Sequence, residues 1–526
     1  MHTKLRRTLA VGTAAAALLG ASGCTDITTE PRSTVTGANI FNDPSSYRAF
    51  LAKLYAGLAV TGQQGPAGAG DISGIDEGFS HYVRLLWQMQ ELPTDEAAIA
   101  WGDGTLQQLN TQTWTPANEF LTAMYYRIFF QVALANEFLR ETTDEKLNQR
   151  GVSGQLRTEI QQYRAEARYL RALSYWHGID LFGNIPLVRE TDRLGAEPPK
   201  QATRAEVFNF LVTELNEIGG QLPAPRQGQY GRADRGAVQM LLAKLYLNAE
   251  AYGVGNRYGD VITALQPVLT GYSLDPNFRR MFQADNHTSP ELVFVVPQDG
   301  INTRTWGGMT FLVNAAIGGN MNPANYGVGG GWWGLRVKPE VVSLFPGGAS
   351  CTGDVRCSHF FTSGHTVQMN SLTEFSNGIG APKFQNVTST GRPGSHRDHP
   401  DTDYPMFRLG DAYLMYAEAH LRGGGGTRAQ ALSYVNALRQ RASAQTVTDA
   451  QLSLNFIRDE RARELLWEGH RRTDLVRFGV FTGGSYVWAW KGSVREGTAT
   501  QACKNLYPLP ASEMVANRNL QPNGGC

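Results

Sequence analysis

Leu156-Arg-Thr-Glu-Ile-Gln-Gln-Tyr-Arg-Ala-Glu-Ala-Arg-Tyr-Leu-Arg-Ala-Leu-Ser-Tyr-Trp-His-Gly-Ile-Asp-Leu181 sets Leu156, Ile160, Tyr163, Ala167, Leu170 and Ser174 at 4-3-4-3-4 spacing. Residues three and four apart stack on one side of an α-helix, so this stripe predicts an amphipathic helix that buries that side. The pattern continues to Leu181, and Gly183 stops it. On either side, similar patterning predicts helices over 43–59, 117–140, 204–218, 235–251, 258–269, 406–422, 428–442 and 454–478.

Several of these come as pairs joined by short turns, such as Ala237–Glu250 followed by Tyr258–Leu269. Small alanines on the first helix and an aromatic-led second helix resemble tetratricopeptide units, which stack because no pair buries its apolar face alone. A fixed 34-residue period is absent. The predicted fold is therefore mainly α, an irregular tetratricopeptide-like scaffold occupying 41–298 and 404–526. Between them, over 299–403, helical periodicity gives way to Gly, Asn, Pro and aromatics, flanked by short strands such as Glu291–Val296. A loop region this long is functional or disordered. Its content of Trp306, Phe311, Tyr326, Trp332 and Trp333 argues for function.

The 526 residues carry 48 Lys and Arg against 47 Asp and Glu, a net charge of +1, so no basic field exists to hold nucleic acid. Residues 1–23 run from Lys4, Arg6 and Arg7 through an apolar stretch to Gly20-Ala-Ser-Gly23, the layout of an export signal too short to span a bilayer. The small residues before Cys24 resemble the lipobox of bacterial lipoproteins. Cys24 is then expected to carry lipid, and residues 24–40 to tether the body to the membrane. Losing the three cations takes the net charge to −2 for residues 24–526. The remaining Cys351, Cys357, Cys503 and Cys526 can pair in three ways in an oxidising compartment. Cys351–Cys357 with Cys503–Cys526 is preferred, each bridge pinning a loop or the tail. A cysteine metal site lacks short-spaced partners.

Nine glycines between Gly307 and Gly334 allow tight turns, and Trp306, Tyr326, Trp332 and Trp333 offer flat faces with a polar edge. Such faces suit sugar rings, and Asn314, Asn320, Asn322 and Asn325 carry amides for hydroxyl or peptide groups. A second cluster, Tyr82, Trp87 and Trp101 with Asp95 and Glu96, is expected to supply the opposite wall, with Trp87 in the core. Glu460, Glu464 and Glu468 share a helix face, but Arg461, Arg463, Arg471 and Arg472 stand three or four residues away, so an ion-pair lattice is the reading. Glu418 reads as a buried carboxylate satisfied by an arginine such as Arg408 or Arg439. The loop Ser395–Asp403 gathers two His and three Asp, which leaves structural calcium as an alternative to an expectation of no cofactor. Gly329–Gly334 matches G-x-G-x-x-G without a strand before it or a helix after it, and no Walker, zincin or G-x-S-x-G motif occurs.

Several segments together resemble the SusD/RagB family of outer-membrane nutrient-binding lipoproteins. They are Arg164-Ala-Glu-Ala-Arg-Tyr-Leu-Arg-Ala-Leu173 running into Leu181-Phe-Gly-Asn-Ile-Pro-Leu-Val188, then Tyr404–Ala419, Glu460–Gly479, Leu506–Glu513 and Asn517–Asn523. The resemblance implies a helical scaffold with an irregular ligand-binding face, held by lipid at the outer membrane facing the exterior, capping a SusC-like TonB-dependent transporter. It implies capture without catalysis, of glycans in most members and peptides in some. The Trp306–Gly334 stretch matches no substrate-specific pattern. The candidate ligand-binding residues are thus Trp306, Tyr326, Trp332, Trp333, Trp101 and Tyr82. The alternatives are a peptide-binding member and a surface glycoside hydrolase using carboxylates such as Asp299 and Glu374.

Overall fold

The computed structural model describes residues 40–523 apart from 67, 69, 104, 194 and 196, so the signal segment, Cys24 and the tether up to 39 lie outside the described residues. The chain divides into a short unit, Met1–Ser46, and one large unit, Tyr47–Cys526, and the sequence subdivisions at 299 and 404 fall inside the latter.

The principal helices are α1 Ser45–Ala59, α2 Tyr82–Glu91, α3 Glu119–Glu141, α4 Gly154–Phe182, α5 Arg204–Ile218, α6 Arg235–Asn248, α7 Tyr258–Gly271, α8 Gly308–Asn314, α9 Leu409–Leu421, α10 Arg428–Arg441, α11 Leu454–Leu465 and α12 Arg471–Arg477. Side-chain caps fix several starts by satisfying N–H groups that have no partner inside the helix. Asn118 accepts from Phe120 and Leu121, Asp234 from Ala237, and Thr203 forms a capping box with Glu206. Along α4 the predicted stripe is buried from Ile160 onward, but every residue from Tyr169 to Phe182 is buried too. An amphipathic helix thus becomes an interior one, with α3 and α5 packed on it. Pairs α6/α7, α7/α9 and α9/α10 extend the stack.

The predicted helix over 454–478 is two helices. Trp467 and Gly469 adopt positive φ (+62° and +79°) and break it. The freed N–H groups go to buried carboxylates from α2 and its following turn: Trp467 N donates to Glu96 Oε2 at 3.1 Å, and Gly469 N to Glu91 Oε1 at 2.6 Å. The ion-pair reading of Glu460, Glu464 and Glu468 holds with different partners. Only Arg463 pairs within the helix; Glu460 also meets Arg356 and Arg439, Glu464 meets Arg356, Arg408 and Arg441, and Glu468 meets Arg408 and Lys383. Arg461, Arg471 and Arg472 turn instead to Asp411 and Asp474, to Asp95, and to Asp180. Arg408 donates all its N–H groups, to Glu291, Glu464 and Glu468, within 2.9 Å. Glu418 is buried as expected, but Arg477 and Arg422 hold it, not Arg408 or Arg439. A helix period shows which charges share a face and not what the next element brings to it.

Strands β1 Ala98–Ile99, β2 Leu292–Val296, β3 Leu335–Val337, β4 Ile379–Gly380 and β5 Tyr404–Arg408 organise the insertion. β2 and β5 pair antiparallel, Leu292 opposite Arg408 and Val296 opposite Tyr404, closing its neck. Its strand β3 lies between β4 of the insertion and β1 from outside it. The insertion is less irregular than the sequence suggests, since α8 lies within it. All seven α8 residues are buried, so no polar face existed to give a period. Cys351–Cys357 is bridged with a Cα separation of 5.5 Å. Cys503 is disulfide-bonded, and Cys526 lies outside the described residues. Among the described residues no helix is long and apolar enough to cross a membrane.

Candidate functional site

The β1–β3 register builds the site. Ala98 faces Arg336, Ile99 faces Leu335, and Ala100 N donates to Gly334 O at 2.9 Å. Trp101 follows Ala100 just past the end of β1, and this register delivers it beside the residues entering β3, where its Nε1 donates to Trp332 O at 2.9 Å. Gly334 is needed here: a Cβ would stand 2.9 Å from the Trp101 ring. Trp306 arrives from the insertion neck and is held by Glu77, whose Oε1 accepts from Thr305 at 2.8 Å and whose Oε2 accepts the Trp306 N–H at 3.1 Å. Gly78 permits that approach, since a Cβ there would lie 2.8 Å from the Trp306 backbone.

The three rings then stand together. Trp101 and Trp332 have centroids 6.2 Å apart at 44°, Trp306 and Trp332 6.2 Å at 51°. Phe79, Arg84 and Asp103 complete an open hollow of about 370 Å³. Trp306 is 39% exposed, whereas Arg84 is 2% exposed. The Arg84 guanidinium lies 4.3 Å from the Phe79 ring and 4.2 Å from the Phe311 ring, with Trp101 at 5.6 Å. Its Nη1 donates to Trp306 O at 3.4 Å, while its Nε and Nη2 have no partner. Burial pushes this guanidinium down to about 9, against the pull of Asp76, Asp103 and Glu77. The arrangement offers flat apolar faces around a buried donor that lacks acceptors, which suits a ligand with C–H faces and hydroxyl edges.

Of the six nominated ligand residues, Trp101, Trp306 and Trp332 meet here. Tyr82 does not: it is fully buried and its hydroxyl bonds His177 Nδ1 at 2.8 Å, because it opens α2 on the side packed against α4. Trp87 is likewise buried, and Asp95 and Glu96 are spent on Arg471. Tyr326 is half-buried and does not line the hollow; its carbonyl accepts from Asn386 N at 2.9 Å. Trp333 is 54% exposed and faces Phe375 instead, at 5.8 Å. Asn314 is buried and donates to Thr310 O and Asp398 O, while Asn322 caps its own turn. Arg84, Phe79, Glu77 and Asp103 were missed. The one available signal was a cation within the apolar run Tyr82-Val-Arg-Leu-Leu-Trp87.

The other candidate chemistry is engaged elsewhere. Asp401 accepts from Ser395 and Gly300, and Asp403 from Tyr230 and Gln298. Among the described residues no group of three or more His, Cys, Asp or Glu is placed to hold a metal ion. Asp299 caps its own loop, and a bond from Asn302 leads the contacts that lower its carboxyl. Neither Asp299 nor Glu374 lines the hollow.

A profile described as the SusD family matches residues 358–525. The chain is 34% identical to the "Starch-binding protein SusD" of Bacteroides thetaiotaomicron, over 90% of this chain and 91% of the relative. Its fold matches that of a "Surface glycan-binding protein A" from Bacteroides thetaiotaomicron in complex with laminarihexaose, with a TM-score of 0.68, 19% identity, and coverage of 91% and 99%. A solved "Laminarin binding SusD-like protein" gives 0.69 at 21% identity, with coverage of 92% and 99%.

Proposed function

We propose that this chain, which belongs to the SusD family, binds oligo- or polysaccharide in the tryptophan hollow and passes it uncleaved to a SusC-like TonB-dependent transporter. The observation that carries the reading is the convergence of Trp101, Trp306 and Trp332 around Arg84, whose two donor nitrogens lack partners. A pyranose packs its C–H face on an indole and turns its hydroxyls to the rim, where the exposed Asp103 accepts, with the Arg84 guanidinium buried beneath the rings. The relatives named for starch and laminarin support glucans as the class to test first. Lipid on Cys24, after removal of residues 1–23, would hold the protein on the outer membrane facing outward.

Retardation in gels containing starch or laminarin tests the binding, with Trp101→Ala and Trp332→Ala expected to abolish it. Chromatography of the glucans after incubation should show unchanged chain lengths. Retardation that survives both substitutions removes the hollow from the site, and shortened products overturn capture without catalysis. Peptide capture would show as wild-type binding to oligopeptides and not to either glucan. Labelled fatty acid should enter the wild type and not Cys24→Ala.

A further inference from the structure

Trp332 and Trp333 leave the backbone from neighbouring Cα atoms about 3.8 Å apart, yet serve different surroundings. Trp332 lines the hollow, whereas Trp333, 54% exposed as a residue, packs against Phe375. The divergence comes from the backbone: Trp333 adopts φ +55°, a left-handed conformation that a bulky side chain adopts only under constraint. Three hydrogen bonds impose it. Trp332 N donates to Asn314 O at 2.9 Å, Trp333 N to Ile317 O at 3.0 Å, and Gly334 N to Ala315 O at 2.8 Å. The underside of the ring is fitted as well, since a Cβ on Gly318 would meet both Trp333 Cγ and Phe375 Cε1 at 2.8 Å. One indole face is thus seated on Gly318 and Phe375.

A tryptophan needed only to anchor the loop would be buried with relaxed backbone; this one is strained and open. Polar groups stand nearby. His365 packs edge-on against Phe375 at 5.1 Å and donates from Nδ1 to Gly378 O at 2.9 Å, which leaves Nε2 of the neutral ring as an acceptor. Burial lowers the pKa of His365, which favours that neutral form. Asn320, whose amide donates to Ser363 at 3.3 Å, borders the same turn.

We propose that Trp333 forms a second sugar-stacking subsite, which takes further residues of the same glycan chain that occupies the Trp101–Trp306–Trp332 hollow. This rests on the glycan reading above and adds chain-length dependence to it: a long glycan engages both platforms at once, a short one only the hollow.

Calorimetric titration of the full mature protein with maltotriose and maltoheptaose, and with laminaritriose and laminarihexaose, tests it. In the series that binds, Trp333→Ala should weaken the longer ligand about tenfold, the scale of one aromatic stacking contact. It should leave the shorter one unchanged. Trp333→Phe, which keeps a flat face, should recover most of the loss, and Trp332→Ala should weaken both lengths. If Trp333→Ala leaves both lengths unchanged while Trp332→Ala weakens them, the second subsite is refuted and the hollow stands. If Trp333→Ala weakens both lengths equally, Trp333 supports the hollow and is no separate subsite. Failure of the wild type to bind either series removes the glucan reading and this proposal with it.

Discussion

Replacing Arg84 by Met should strengthen the fold and weaken ligand binding, a pair of opposite signs that few substitutions produce. A guanidinium driven by burial from its ordinary, far more basic value down to about 9 has lost on the order of 5 kcal/mol of preference for its charged form. The faces of Phe79 and Phe311, at 4.3 and 4.2 Å, offset roughly 1–2 kcal/mol each in a desolvated setting. A net gain of about 1–3 kcal/mol is therefore expected on substituting an apolar side chain of similar length, in line with buried charges exchanged for hydrophobes elsewhere. Binding moves the other way. Nε and Nη2 lack acceptors and are shut off from solvent in the free protein, so a ligand oxygen that reaches them as the covering rings shift gains a charge-assisted bond of at most about 1.5–3 kcal/mol, roughly a 10- to 150-fold change in Kd. Urea unfolding gives the first quantity and titration with the bound glucan the second. A variant that is less stable yet binds as tightly as wild type would show that Arg84 serves the core alone, and the reasoning would fall.

The buried charge network makes further predictions. Arg408→Met removes one cation from Glu291, Glu464 and Glu468 together, leaving them to Arg441, Arg356 and Lys383, and should lower unfolding free energy by about 3–5 kcal/mol in urea; a loss under 1 kcal/mol would mean that the remaining cations compensate. Burial alone would raise the Glu464 carboxyl, but Arg441, Arg408 and Arg356 hold it at about 2, below its ordinary 4.5. Its stabilisation, on the order of 3 kcal/mol, is present above pH 4.5 and disappears as pH falls toward 2, so chemical unfolding midpoints should drop steeply across that window. Asp403 acts in the opposite sense: burial pushes its carboxyl from 3.8 to about 6, so Asp403→Asn should remove a loss of stability that the wild type suffers between pH 4 and 6. Reducing Cys351–Cys357, whose partners are 6 residues apart, should lower stability by about 2 kcal/mol through the freed loop, read as a larger fall in Tm with dithiothreitol in the wild type than in a Cys351→Ser, Cys357→Ser double variant, which keeps the bridge at Cys503.

The helical scaffold was legible because its signals are local. The stripe on α4 acts within a few residues of itself. The interruption at Trp467 was not, since its cause is a pair of carboxylates from residues 91 and 96, far away in the chain. Half of the nominated ligand rings gather in the hollow for a similar reason. Aromatic content marks the insertion as important, but only the β1–β3 register shows that Trp101 joins Trp332 while Tyr82, closer to Trp87 in sequence, goes to the core. Arg84 could not be distinguished from an ordinary helix cation until Phe79, Phe311 and Trp306 were seen around it.

The walls of the hollow are drawn from two stretches, Phe79–Asp103 and Trp306–Trp332, that lie apart in the chain and are united by the short ladder between β1 and β3. No excised peptide from either stretch carries a working recognition surface. The hollow is therefore all-or-none with the folded state: a proteolytic nick or misfolding event that parts this seam takes the three indoles apart together and leaves no half-formed version behind.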